Sequence, residues 1–225
     1  MRTLRTLAAV TSAVATTVAL TLTATVTATA SPPPAPAPAP APVAGSVQDG
    51  KIKVPGFLAP TDLPPHASSK WRAWPVTAGV PGPEPYCLDK GAIPAGAGTY
   101  HRFFRTEYDT EAGQTAVVTK SAEAAKKLAG SLGARVLACA DGWLDTAPGG
   151  SSAGWRDYGT VAGGAHVYGV DSSVPDSEPS VHLFAIGRDG ATVTAVNWGE
   201  MGSLKRVPIA AFKKTATTAV EKLYP

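Results

Sequence analysis

Four histidines, two cysteines and a Trp-Arg pair are the side chains of this 225-residue chain whose chemistry reaches beyond packing. A hydrolase built on a histidine base also needs a nucleophile and an orienting acid, and His66, His101, His166 and His182 with Asp141, Asp157, Asp171 and Asp189 are the residues from which one would be assembled. No spacing joins them. G-x-S-x-G, H-E-x-x-H, the P-loop and a G-x-G-x-x-G set between strand and helix are all missing from the sequence. His101 and His182 fall in predicted strands, facing away from Tyr100 and Leu183, where a surface or hydrogen-bonded histidine is the ordinary outcome. His166 and His182 would need adjacent hairpins to share a metal. No carboxylate or third histidine stands at ligand spacing, so neither a metal nor a cofactor is expected. The 17 acidic side chains do not identify a glycosidase, because composition never reveals two carboxyls held about 5 Å apart.

Trp155-Arg156 puts an indole beside a guanidinium, which suits a carboxylate or a stacked ring; its structural alternative is an edge-strand Trp beside a solvated Arg. Trp71 and Trp74 read either as an aromatic platform or as two anchors that pin a proline-rich loop to the core. Cys87 and Cys139 are the only cysteines, and in an exported chain two cysteines make one disulfide. Such a bond closes a loop of about 50 residues, worth at most about 4 kcal/mol in the chain-entropy description. There is no C-x-x-C, so a redox pair or a zinc site is not expected.

The element that must carry Cys139 is a helix from Ser121 to Trp143. Ala125, Leu128, Leu132, Val136, Cys139 and Trp143 recur at spacings of three and four, Ser121 supplies a cap, and Lys126, Lys127 and Arg135 fall off the apolar stripe. Gly130 and Gly133 allow a bend. A second amphipathic helix starts at Pro208 and carries Ile209, Phe212, Ala216, Val220 and Leu223. Strands are predicted at Gly98–Thr106, Thr115–Thr119, Trp155–Val161 and Ala165–Val170, with a turn from Asp109 to Gln114 between the first two and Gly163-Gly164 between the last two. The hairpin from Ser180 to Trp198, turning at Arg188-Asp189-Gly190, is the plainest of all. A short helix or turn is expected at Ala59–Leu63. The sum is a single α+β domain, an antiparallel β-sheet with α-helices packed on one face, tied by one disulfide.

The ends of the chain say where this domain would work. Arg2 and Arg5, an uncharged apolar run and Ala28-Thr29-Ala30 predict a signal peptide over residues 1–30 with the mature chain starting at Ser31, and a membrane role only if that segment stays uncleaved. Residues 31–46 open on a Pro/Ala repeat that reads as a linker, leaving residues 47–225 for the domain. Losing Arg2 and Arg5 lowers the formal charge from +3 to +1, and no Lys/Arg run marks a nucleic-acid surface. A secreted, extracellular monomer is expected.

A cysteine ahead of the first strands, the strand TAVVTK feeding an Ala-rich helix that ends in cysteine, RDGATVTAVNW and a closing helix together resemble the extracellular sensor domain of actinobacterial PknH-type protein kinases, over about Gly56 to Leu223. That resemblance implies an α+β domain with a ligand cleft. It also implies two disulfides where this chain has cysteines for one, and a kinase that this chain does not carry. What carries over is a non-catalytic ligand-binding module whose ligand is a small molecule or an envelope component. Trp155, Arg156, His166 and Tyr168, where polar and aromatic groups cluster, are its candidate ligand-binding residues. The competing expectation is a small secreted hydrolase with a His-centred site.

Overall fold

Runs of apolar residues with a period of two make the strands of this chain, and two stretches with a period near 3.6 make its helices. A computed structural model describes residues 47–48, 51–89 and 91–224. The expected signal peptide and the whole of the Pro/Ala linker lie outside the described residues. In chain order the strands are β1 (Val47–Gln48), β2 (Lys51–Ile52), β3 (Arg72–Ala73), β4 (Thr77–Ala78), β5 (Thr99–Arg105) and β6 (Glu111–Val118). Helix α1 (Ala122–Leu144) follows, then β7 (Trp155–Thr160), β8 (His166–Ser172), β9 (Ser180–Asp189), β10 (Thr192–Met201) and α2 (Ile209–Glu221). Strands β1 and β2 pair only with each other; the rest form one eight-stranded antiparallel sheet in the order β3-β5-β6-β10-β9-β8-β7, with β4 beside β3 along the same edge of β5. The expected α+β class, antiparallel sheet and two packed helices are all present.

Helix α1 starts where the sequence says it should. The Ser121 hydroxyl accepts from the Ala124 N–H at 3.1 Å, and the helix runs unbroken through Gly130 and Gly133. Its path follows from the strand order. Strand β6 lies in mid-sheet against β10, whereas β7 is the far edge, so the helix joining them must cross β10, β9 and β8, the strands it contacts.

The helices divide between the two faces, and here the expectation of helices on one face is corrected. Val181, Leu183, Ala185, Val196 and Trp198 pack with Phe212, Ala216 and Ala219 of α2 and with Leu58 and Leu63 ahead of the sheet. Phe184, Ile186, Val193 and Ala195 pack with Ala125, Leu132, Val136 and Ala140 of α1. The physical reason lies in β9, where Val181–Gly187 is apolar on both sides apart from His182; a strand of that kind must be covered twice.

Two smaller differences concern turns. Strand β6 begins at Glu111, opposite Arg105, so the first hairpin turns within Thr106–Thr110 and is tighter than expected. The β9–β10 pairing continues to Asp189 opposite Thr192, leaving Gly190 and Ala191 as the two loop residues. Cys87 and Cys139 are bonded, with Cα atoms 5.3 Å apart, and the bond fastens the chain ahead of β5 to the last third of α1. Among the described residues no helix is long and apolar enough to cross a membrane.

Candidate functional site

Register decides which of the four expected binding residues can meet. Trp155 stands opposite Val170 and Asp157 opposite Tyr168, and a bulge then shifts the pairing so that Thr160 stands opposite His166. Trp155, His166 and Tyr168 therefore share the α1 face, whereas Arg156, opposite Gly169, points to the α2 face. His166 and Tyr168 stack with ring centroids 4.5 Å apart. Trp155 is 43 % exposed at the sheet edge, and the Arg156 guanidinium donates to the carbonyls of Ala153 and Trp155. The structure thus brings two of the four together and sets the other two apart. None of them lines the cavity described below.

His166 has partners of its own within the β7–β8 hairpin. Its Nε2–H donates to Asp157 Oδ1 at 2.7 Å and its Nδ1 meets the Thr160 hydroxyl at 3.1 Å. The same Asp157 oxygen accepts from the Gly159 N–H at 2.7 Å, and that bond, followed by the one from His166, holds the Asp157 carboxyl below its ordinary range. Tyr168 reaches over to Gly133, where an added Cβ would lie 3.0 Å from the phenol oxygen.

The cavity, about 270 Å³, lies on the α1 face at the end of the sheet that the helix leaves bare. Its floor is read directly from the cross-strand register. One row runs Phe103, Gly113, Asn197, Phe184 through β5, β6, β10 and β9. The rows on either side run Arg105, Glu111, Gly199, His182 and His101, Thr115, Ala195, Ile186, of which Glu111, Gly199, His182, His101 and Thr115 line the cavity. Pro81, Pro83, Glu84, Pro85 and Tyr86 form the roof. Cys87 comes directly after them, so the disulfide holds that roof to α1.

Glycines keep the floor low where its polar side chains lie. A Cβ at Gly113 would stand 2.6 Å from Asn197 Oδ1, and one at Gly199 would stand 2.8 Å from His182 Nδ1. His182 packs its ring against Tyr86 at 4.3 Å, and burial lowers its pKa to about 4. Burial likewise raises the Tyr86 phenol, whose hydroxyl is buried without a partner at hydrogen-bonding geometry; Ser172 approaches it outside that geometry. Among the described residues the side chains of His182, Asn197 and Thr115 have no hydrogen-bond partner, although Thr115 is only 3 % exposed. Thr115 is buried whereas His182 and Asn197 are half-buried at the cavity, so this floor offers three polar side chains to an outside partner, water or ligand.

The remaining groups on this face are occupied. The His101 Nδ1–H donates to the Gly79 carbonyl at 2.9 Å. Arg105 pairs with Asp109 and, at 3.6 Å, with Glu111, which closes the charges of that end on one another. Chemically the floor can bind and is poorly placed to catalyse. An imidazole with a pKa near 4 is a weak base at neutral pH, and the cavity residue Ser180 is not bonded to it.

Trp71 and Trp74 divide between their two readings. The Trp71 indole donates to the Pro64 carbonyl at 2.7 Å and anchors the loop, while Trp74 is 47 % exposed and tilts against Phe103 at the cavity wall. Thr115, Asn197 and Tyr86 were not legible as site residues from the sequence. The available signal was glycine at 113 and 199 inside otherwise well-formed strands, which marks a close approach by another group. In comparisons with known proteins, no family model, curated protein or solved structure matches the chain.

Proposed function

We propose that this chain is a secreted, non-catalytic ligand-binding domain of the sensor-like kind, and that its ligand, a small molecule or an envelope component, sits in the cleft between the sheet and the Pro81–Tyr86 roof. The observation that carries this reading is the set of three unpartnered polar side chains, Thr115, His182 and Asn197, on a floor recessed by Gly113 and Gly199. A disulfide within the domain and the charged-then-apolar start of the sequence support an extracellular setting. The resemblance to PknH-type sensor domains agrees with it. A thermal-shift screen of sugars, envelope fragments and small lipids tests the reading, because a ligand at 100 times its Kd adds about 2.7 kcal/mol, a shift of several degrees in a domain of this size. Gly199→Ala, whose Cβ drives the His182 ring upward, is expected to abolish the shift. A shift that survives the substitution places the ligand elsewhere and defeats the proposal.

The second reading, a small secreted hydrolase with a His-centred site, is favoured by one observation, the line from the Thr160 hydroxyl through His166 to Asp157. Against it, the line lies on the outermost hairpin away from the cavity, and the nearby Gly159 N–H is already bonded to Asp157. Ester hydrolysis by the protein that disappears in Thr160→Ala and His166→Ala would establish this reading in place of the first.

A further inference from the structure

The chemistry of the cleft floor also says what kind of ligand would complete it. The charged side chains of the α1 face near the cavity are Arg105, Asp109 and Glu111, joined in ion pairs at one end, and the roof adds Glu84, which accepts from the Gly91 N–H at 3.4 Å. Arg102 contributes no free cation: its guanidinium donates to the Trp74 and Leu58 carbonyls at 2.9 Å each. The unpartnered groups are a hydroxyl, an amide and an imidazole, each of them uncharged at neutral pH and each able to donate and accept. Beside them stand the flat apolar faces of Phe103 and Tyr86, with Phe184 fully buried next to them. A cavity of about 270 Å³ falls just under the span of about 300–1,000 Å³ usual for drug-sized ligands, so it has room for one ring.

Resting on the reading of this cleft as a ligand site, we propose that it takes an uncharged, hydroxyl- and amide-bearing ring the size of one sugar unit. The apolar face of the ring would lie against the aromatic wall, and its hydroxyl and amide groups would meet Thr115, Asn197 and His182. A net charge on the ligand would be selected against. It would lose water on entering the cleft and find no free counter-ion, since Arg105, Asp109 and Glu111 are paired with one another and Glu84 of the roof has partners of its own. Thr115 marks the site as built for binding rather than for stability. Its nearly buried hydroxyl gains the fold nothing while unpartnered, and valine of the same shape would serve the core as well or better.

The test compares N-acetylglucosamine with its free amine, glucosamine, and with glucuronate, each titrated into the isotope-labelled protein at pH 7 and followed by amide NMR. N-acetylglucosamine is expected to bind at least about tenfold more tightly than either charged sugar, with shifts concentrated on β6, β9 and β10, and with a Kd that does not change between 20 and 500 mM salt, as suits an interaction without charge. Thr115→Val with Asn197→Ala is expected to weaken that binding about tenfold or more, two neutral hydrogen bonds being lost. Thr115→Val alone is expected to leave the melting temperature unchanged or raised, a result that a purely structural threonine would not give. Equal or tighter binding of a charged sugar, a strong salt dependence, or no binding by N-acetylglucosamine at all overturns the proposal. If the proposal fails while another compound gives a thermal shift that Gly199→Ala removes, the cleft remains the binding site and only this ligand class is wrong.

Discussion

Lowering the pH from 7 to 4 will destabilise the domain through His182. Its ring packs on Tyr86 and Phe184 above Gly199, and burial alone lowers its pKa from 6.5 to about 4. Between those values the unfolded chain binds a proton at this position and the folded chain does not. Stability from this residue is therefore complete above about pH 6.5, falls as the pH drops toward 4, and is constant below that. A difference of about 2.5 pKa units at 1.36 kcal/mol each gives about 3 kcal/mol, an upper figure because one side of the ring opens on the cleft. Urea unfolding at pH 7, 5.5 and 4 is the assay; with a slope of about 2 kcal/mol/M the midpoint should fall by about 1.5 M. The comparison that isolates His182 is His182→Gln, which cannot charge. Carboxylates such as Asp157, held below its ordinary range, lose their contribution as the pH falls through it, but they do so in both proteins. The reasoning is refuted if wild type and variant lose the same stability between pH 6.5 and 4.

Two further perturbations probe what holds the cleft. Reducing the Cys87–Cys139 bond, which spans 52 residues, should remove up to about 4 kcal/mol and lower the melting temperature by about 10 °C; an unchanged melting temperature would mean that the bond constrains little of the unfolded chain. Gln114→Leu should cost about 2 kcal/mol in urea unfolding, because the fully buried Gln114 side chain accepts from the Leu58 N–H at 2.7 Å and donates to the Thr194 hydroxyl at 3.1 Å, and leucine strands both. A loss below about 0.5 kcal/mol would show that water reaches those groups instead.

Local signals carried most of the fold. Ser121 and the spacing of Ala125, Leu132 and Val136 located α1 within a residue, and the apolar alternation around Asp189-Gly190 located the long hairpin, because capping, helical period and turn chemistry all act within a few residues. The pairing of Cys87 with Cys139 needed only the count. What failed was the placing of the helices. Each helix has one apolar stripe and would suit either face, and the deciding evidence was in β9, where Leu183 and Phe184 are both fully buried although neighbours in a strand must point to opposite sides.

The cleft was illegible for a related reason. Thr115, His182 and Asn197 lie on three strands, and only the order β6-β10-β9 brings them onto one floor; that order depends on β10, the last strand, inserting between β6 and β9. Trp155, Arg156, His166 and Tyr168, by contrast, are close in sequence, and a search by local clustering finds such residues first. The register then separates them, because an odd and an even position on one strand face opposite ways, which sends Trp155 and Arg156 to different layers. A binding floor assembled from non-adjacent strands leaves only indirect marks in a sequence. Here those marks are the strand glycines at 113 and 199, each opposite a polar residue, Asn197 and His182, in the cross-strand pairing. A glycine in the middle of a strand weakens it, and a polar residue facing a core costs more, so the two together, twice on adjacent strand pairs, indicate a surface shaped to receive something other than the protein itself.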